Sequence, residues 1–170
     1  MGFKGRQAGG FWQNVDGVIK SFVFTNVGPG TDAEAGDWLY LVPSFLADGA
    51  EDETTQHLFF GGVDRYSISK DGKTAQGITS DGENSEVTSY GAKTPAGRFL
   101  DTLVEQGSEL GIEALLPDLD AGEPINLEPI EGTRVRLVQE KDVAGTAKRG
   151  QREAKDGKKY DRTNSVVGAV

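Results

Sequence analysis

Cysteine is absent from this chain, which excludes structural disulfides, thiolate metal sites and cysteine nucleophiles. Histidine is nearly absent. His57 stands alone, so neither a multi-histidine metal site nor a pair of imidazoles in acid and base roles can be assembled. No apolar stretch approaches the ~20 residues that a membrane-spanning helix needs, and the opening Met-Gly-Phe-Lys-Gly-Arg leads into no apolar segment of the kind a secretion signal carries. A reducing cytoplasm suits such a chain. Positive charge is missing from residues 21–64, which hold no Lys or Arg but eight acids: Asp32, Glu34, Asp37, Asp48, Glu51, Asp52, Glu53 and Asp64. A phosphate-cradling glycine loop ending in Lys-Ser/Thr is also lacking, because Gly28-Pro29-Gly30 runs into acids. Consecutive Glu51, Asp52 and Glu53 repel one another and keep a turn soluble, and Asp81-Gly82-Glu83-Asn84 lacks the ligand spacing of a calcium loop. The expectation is a protein that is not an enzyme and carries no metal or other cofactor.

What is present points to a β-rich binding module. The 170 residues suit a single domain large enough to bury a core, and 24 glycines scattered between strand-like segments announce many turns. The charge is unevenly distributed. Residues 141–162 hold eight basic and four acidic side chains, a net +4 in a chain whose formal charge is −9. Such a split creates a local field that attracts polyanions while the rest of the surface repels them.

Residues 16–25 (DGVIKSFVFT) follow a turn-like Asp-Gly with a β-branched and aromatic run, the first strand. Strict alternation puts Ile19, Ser21 and Val23 inward and Lys20, Phe22 and Phe24 outward, the lysine deciding the choice. Residues 38–46 (WLYLVPSFL) form the second strand, with Leu39 and Leu41 on one face and Trp38 and Tyr40 on the other. Residues 56–60 (QHLFF) form the third, Leu58 and Phe60 inward, His57 and Phe59 outward. A short strand with a hairpin turn at Asp71-Gly72 follows. Thr94 as cap, Pro95 at the first helical position and the stripe Phe99, Leu100, Leu103 predict a helix closing at Gly107, with a shorter one over 108–119. Residues 133–139 (TRVRLVQ) alternate, Val135 and Leu137 inward, Arg134 and Arg136 outward. Residues 163–170 make a last strand after the basic connection. Three strands, a helix and two strands are the order expected of a five-stranded OB-like Greek-key barrel, with one helix between strands three and four and a single domain over 1–170.

On this reading Phe22, Phe24, Trp38, Tyr40 and Phe59 share the outward face with Lys20, Arg134 and Arg136. Rings of this kind stack unpaired bases at ~1–3 kcal/mol each while the cations neutralise phosphates. Lys148, Arg149, Arg152, Lys158 and Lys159 in the basic connection would clamp the strand as a hairpin, mobile when free. A cover formed by the segment from Phe3 to Trp12, by the second helix or by a partner subunit is the competing use of the aromatics.

The chain resembles the small OB-fold single-stranded DNA-binding proteins of bacteriophage replication modules. The resemblance is carried by Asp16-Gly17, the Lys70-Asp71-Gly72-Lys73 turn, Phe99-Leu100-x-x-Leu103, Glu131-Gly132-Thr133 and Tyr160-Asp161-Arg162-Thr163. It implies sequence-independent coating of single-stranded DNA during replication, recombination or repair, without a cofactor or a membrane. Other replication proteins and further copies of the chain would be its partners. The end Ser165-Val166-Val167-Gly168-Ala169-Val170 departs from the acidic tail with which many such proteins recruit others. The alternatives are a phage virion structural or assembly protein built on a β-barrel, its aromatics forming subunit contacts, and an inhibitor whose acidic loops mimic DNA.

Overall fold

A computed structural model of the chain describes residues 15–29, 34–78, 94–118, 123–139, 151–153, 159–161 and 165–170. Two strands of 13 residues dominate it, β1 (Val15–Val27) and β2 (Ala35–Ala47), paired antiparallel from Gly17↔Ala47 to Val27↔Ala35. On the far edge of β2 lie β3 (Thr54–Thr55), opposite Ser44 and Phe45, and β4 (Leu58–Gly62), opposite residues 38–41. A three-stranded sheet holds β5 (Tyr66–Ile68), β6 (Thr74–Gly77) and β7 (Ile125–Asn126) in that order. On the far edge of β1 lies β8 (Arg134–Gln139), and β11 (Ser165–Gly168) follows it. Between them β9 (Gln151–Glu153) pairs antiparallel with β10 (Lys159–Asp161), so the basic connection turns back on itself. The fold is therefore mainly β, in antiparallel sheets, with two helices. Among the described residues no barrel closes.

The first helix, α1 (Pro95–Glu105), begins as its sequence foretells: Thr94 Oγ1 accepts the Gly97 N–H at 3.0 Å, and Pro95 fills a position whose N–H would have no helical partner. Ala96, Gly97, Phe99, Leu100 and Leu103 make its buried face, which packs against both β4 and β11. The second helix is shorter than its sequence suggests. α2 (Gly107–Leu110) stops at Gly111, whose φ of +75° is a left-handed cap, and a 3-10 turn over Glu113–Leu115 follows.

The decisive feature is in β1. Ile19 pairs with Phe45 and Ser21 with Ser44, so Lys20 is an extra residue, a β-bulge, and the inward phase shifts by one beyond it. Upstream, Val15, Gly17 and Ile19 are buried; downstream, Phe22 and Phe24 are, at 2% and 3% exposure. The outward placement of Phe22 and Phe24 expected from strict alternation is thus corrected: both are core residues. Ser21 and Val23, expected inward, are only half-buried. Phe22 meets Phe99 edge-on at 6.4 Å, and Phe24 meets Phe60 at 6.0 Å. Burying two phenylalanines yields roughly 1.5–3 kcal/mol each, more than the ladder pairing that one bulge disrupts. Ile19, Leu39, Leu41, Leu58, Phe60, Phe99, Leu103, Val135 and Leu137 are buried as their phases require.

Beyond the bulge the outer edge of β1 is satisfied by other partners. Gly132 N–H donates to the Ile19 carbonyl at 2.7 Å, and Phe22 N–H donates to Glu131 Oε2 at 2.9 Å. Lys73 Nζ bridges the Phe22 carbonyl (2.9 Å) and Glu131 Oε2 (3.3 Å), so two side chains stand in for a neighbouring strand. One step further, Phe24 N–H donates to the Gly72 carbonyl at 2.7 Å. Only glycine fits at position 72: its φ is +72°, and a Cβ there would lie 2.7 Å from Val23 Cγ2. Gly17 is equally constrained, since a Cβ would collide with the Leu46 carbonyl and the Phe45 ring.

The corrected phase is testable. Phe22→Ala is expected to cost about 3–5 kcal/mol in denaturant unfolding, the range for emptying a buried aromatic site. A loss below ~1 kcal/mol, the scale of a surface substitution, would return Phe22 to the outer face.

Candidate nucleic-acid interface

With Phe22 and Phe24 in the core, the outward aromatics reduce to a row on β2 and β4. Trp38 is 55% exposed, and Tyr40, Phe59 and His57 are half-buried. Antiparallel pairing sets Tyr40 opposite Phe59, which brings cross-strand side chains of one face together. The rings form a chain, Trp38–Phe59 at 5.6 Å, Phe59–Tyr40 at 6.1 Å and Tyr40–His57 at 5.6 Å, with interplanar angles of 57°, 76° and 73°. They lean edge to face on one another, the arrangement aromatic quadrupoles favour, so the row is internally supported and the indole at its end faces outward. His57, expected on the outer face, closes the other end of the row. Burial lowers its pKa below 6.5, against a hydrogen bond to the Val27 backbone that acts the other way, so the ring is neutral near pH 7.

Trp38 has one further neighbour that periodicity alone does not reveal. Gly62 is its cross-strand partner, and the 3-10 turn Val63–Arg65 begins immediately after it. A Cβ at Gly62 would lie 2.8 Å from Asp64 Oδ1, so the missing side chain leaves room for the Asp64 carboxylate at the strand position across from Trp38. A strand-terminal Gly-Gly followed two residues later by an acid was the available signal.

The expected cationic rim is only partly assembled. Lys20 is exposed at the bulge. Arg136 binds Asp16, its cross-strand partner, through Nε at 2.7 Å and Nη2 at 3.2 Å. Arg134 binds Asp48 through Nη1 at 3.0 Å and Nη2 at 2.9 Å. Both arginines point outward as expected, but each is held in a two-pronged ion pair. The guanidinium hydrogen bonds pull the Asp16 and Asp48 pKa values below the usual carboxylate value and raise those of the arginines. Arg152 and Lys159 contribute backbone to the β9–β10 hairpin. Lys148, Arg149 and Lys158, and the covering segment from Phe3 to Trp12, lie outside the described residues. Among the described residues no group of three or more His, Asp or Glu gathers to hold a metal ion, and no helix is long and apolar enough to cross a membrane.

The ion pairs set the acid behaviour. A carboxylate whose folded pKa lies below its unfolded value of 3.8 contributes stability that is complete above 3.8 and lost as pH falls through the folded value. Carboxyl NMR titration is expected to place Asp16 and Asp48 below 3.8, and Arg136→Ala to move Asp16 upward. An Asp16 midpoint that Arg136→Ala leaves unmoved would break this assignment. Comparison of the chain with protein-family models, curated proteins and solved structures finds no match to any of them.

Proposed function

We propose that this protein binds single-stranded DNA, in the replication, recombination or repair of a phage genome, by stacking bases on the outer face of β2 and β4. The observation that carries the reading is the aromatic row ending in the exposed Trp38. The row lies on the strands that would be the second and third of an OB-fold, whose face takes oligonucleotides, and the basic connection joins β8 to β11 in chain order as a fourth-to-fifth-strand loop would. The OB-like barrel belongs to the same proposal. Both outer strands of the long sheet, β4 and β11, lie against α1, as a barrel opened along one seam requires. Phosphates would follow Lys20 and the basic connection, away from the acids of residues 21–64. Arg134 and Arg136 could join them by exchanging one exposed carboxylate for a phosphate, at little cost because surface ion pairs contribute only ~0–1 kcal/mol.

The engagement of both arginines favours one other reading, a virion structural or assembly protein whose aromatic row seats against another subunit. The two readings separate in one titration. Fluorescence polarisation with oligo-dT, duplex DNA and RNA at two salt concentrations is expected to show salt-sensitive binding of the single strand. Trp38→Ala should weaken it by about 1–3 kcal/mol while leaving the melting temperature nearly unchanged. Changing Lys148, Arg149 and Arg152 together to Glu should reduce the log–log salt slope by about 0.7 for each phosphate that is no longer neutralised. No binding, with a mass that rises with concentration and falls back on Trp38→Ala, would establish the assembly role.

A further inference from the structure

The β2–β4 register and the turn after Gly62 bring Trp38 and Asp64 to one end of the aromatic row. Register places Gly62 across from Trp38 on the same face, and directly opposed side chains in an antiparallel pair sit about 4.5–5.5 Å apart at Cβ. Asp64 Oδ1 lies 2.8 Å from where a Cβ on Gly62 would sit. Asp64 is exposed, and among the described residues no hydrogen bond or ion pair engages its carboxylate. A flat ring lying on the indole and extending toward Gly62 would present its edge to a carboxylate acceptor. We propose that this pair selects an unpaired nucleobase bearing an exocyclic amino group, cytosine over thymine in the simplest comparison, and that Asp64 is the residue determining the preference.

The chemistry is asymmetric between the two pyrimidines. Cytosine carries its N4 amino group at the ring edge with a C–H on one side, so a carboxylate can accept one of its hydrogens unopposed. Thymine has a single donor, N3–H, flanked by two carbonyl oxygens that repel a carboxylate. Both rings stack comparably on an indole, which leaves the edge contact to decide between them. A negative group beside the stacking ring also keeps the phosphates to the other side of the base, so removing it should not weaken binding of thymine.

This inference rests on the single-stranded DNA reading and is tested separately from it. The full chain is titrated with fluorescein-labelled oligo-dC, oligo-dT and an oligonucleotide of 2-pyrimidinone, which keeps the cytosine ring and lacks the amino group. Oligo-dC is expected to bind about three- to tenfold more tightly than either of the others, the range of one hydrogen bond to an exposed acceptor. Asp64→Ala, which removes the acceptor, should bring the dC-to-dT ratio to about one, with oligo-dT affinity unchanged or raised and the melting temperature retained. Equal affinity for oligo-dC and oligo-dT in the unaltered protein overturns the inference and leaves the DNA reading standing, as does a preference that survives Asp64→Ala. Binding to none of the three overturns both.

Discussion

The extra residue that Lys20 inserts into β1 determines which side chains of the first hairpin enter the core. Before it, the strand presents Val15, Gly17 and Ile19 inward; after it, Phe22 and Phe24. Those two rings link the long sheet to Phe99 of α1 and Phe60 of β4, and Phe60 in turn packs on Tyr66 of β5 at 4.8 Å. Without the shift the sheet would face the helix with Ser21 and Val23, and two phenylalanines would be left in water. Lys20 itself stays exposed at the bulge, two positions beyond the end of the β1–β8 ladder at Val18.

The same strand explains why the long sheet does not simply continue along its β8 edge. The β1–β8 ladder runs from Val15 to Val18, after which Thr133 and Gly132 pair with Ile19. The Glu131 carboxylate and Lys73 ammonium then satisfy Phe22, and the Gly72 carbonyl satisfies Phe24. Every one of these groups comes from a turn adjoining another element, so a single strand edge fixes the position of the β5–β6 hairpin and the entry to β8. An unpaired edge of this length would otherwise be a template for association.

On the outer face, opposite charges are used up close to where they arise. Asp16 and Asp48 hold Arg136 and Arg134, so both guanidinium groups are already paired. Under the proposed single-stranded DNA reading, that pairing leaves the electrostatic part of binding to Lys20 and the basic connection. The herringbone tilt of the rings points to the same division. Phe59 and Tyr40 support the row from within, and Trp38 at its exposed end is the ring with area to offer.

Much of this was legible in the residues themselves. Period-two patterning located the long strands, the Thr94–Pro95 start located α1, and Asp71-Gly72 located a tight turn, because each depends only on interactions within a few positions. Leu39, Leu41, Val135 and Leu137 were assignable to the core for the same reason. The phase of β1 beyond Lys20 was not, since a bulge is chosen by what the far side of the sheet must contact: Phe99 and Phe60 lie tens of residues away in the chain. The partners of Arg134 and Arg136, 86 and 120 residues distant, depend likewise on register, which no local pattern encodes. The approach of the Asp64 carboxylate to Gly62, across from Trp38, depends on both the β2–β4 pairing and the turn that follows Gly62. Local chemistry along the chain specified the elements and most of the core. Which rings stayed outside and which charges stayed available was settled in the assembled fold, because long-range contacts compete there for the same side chains.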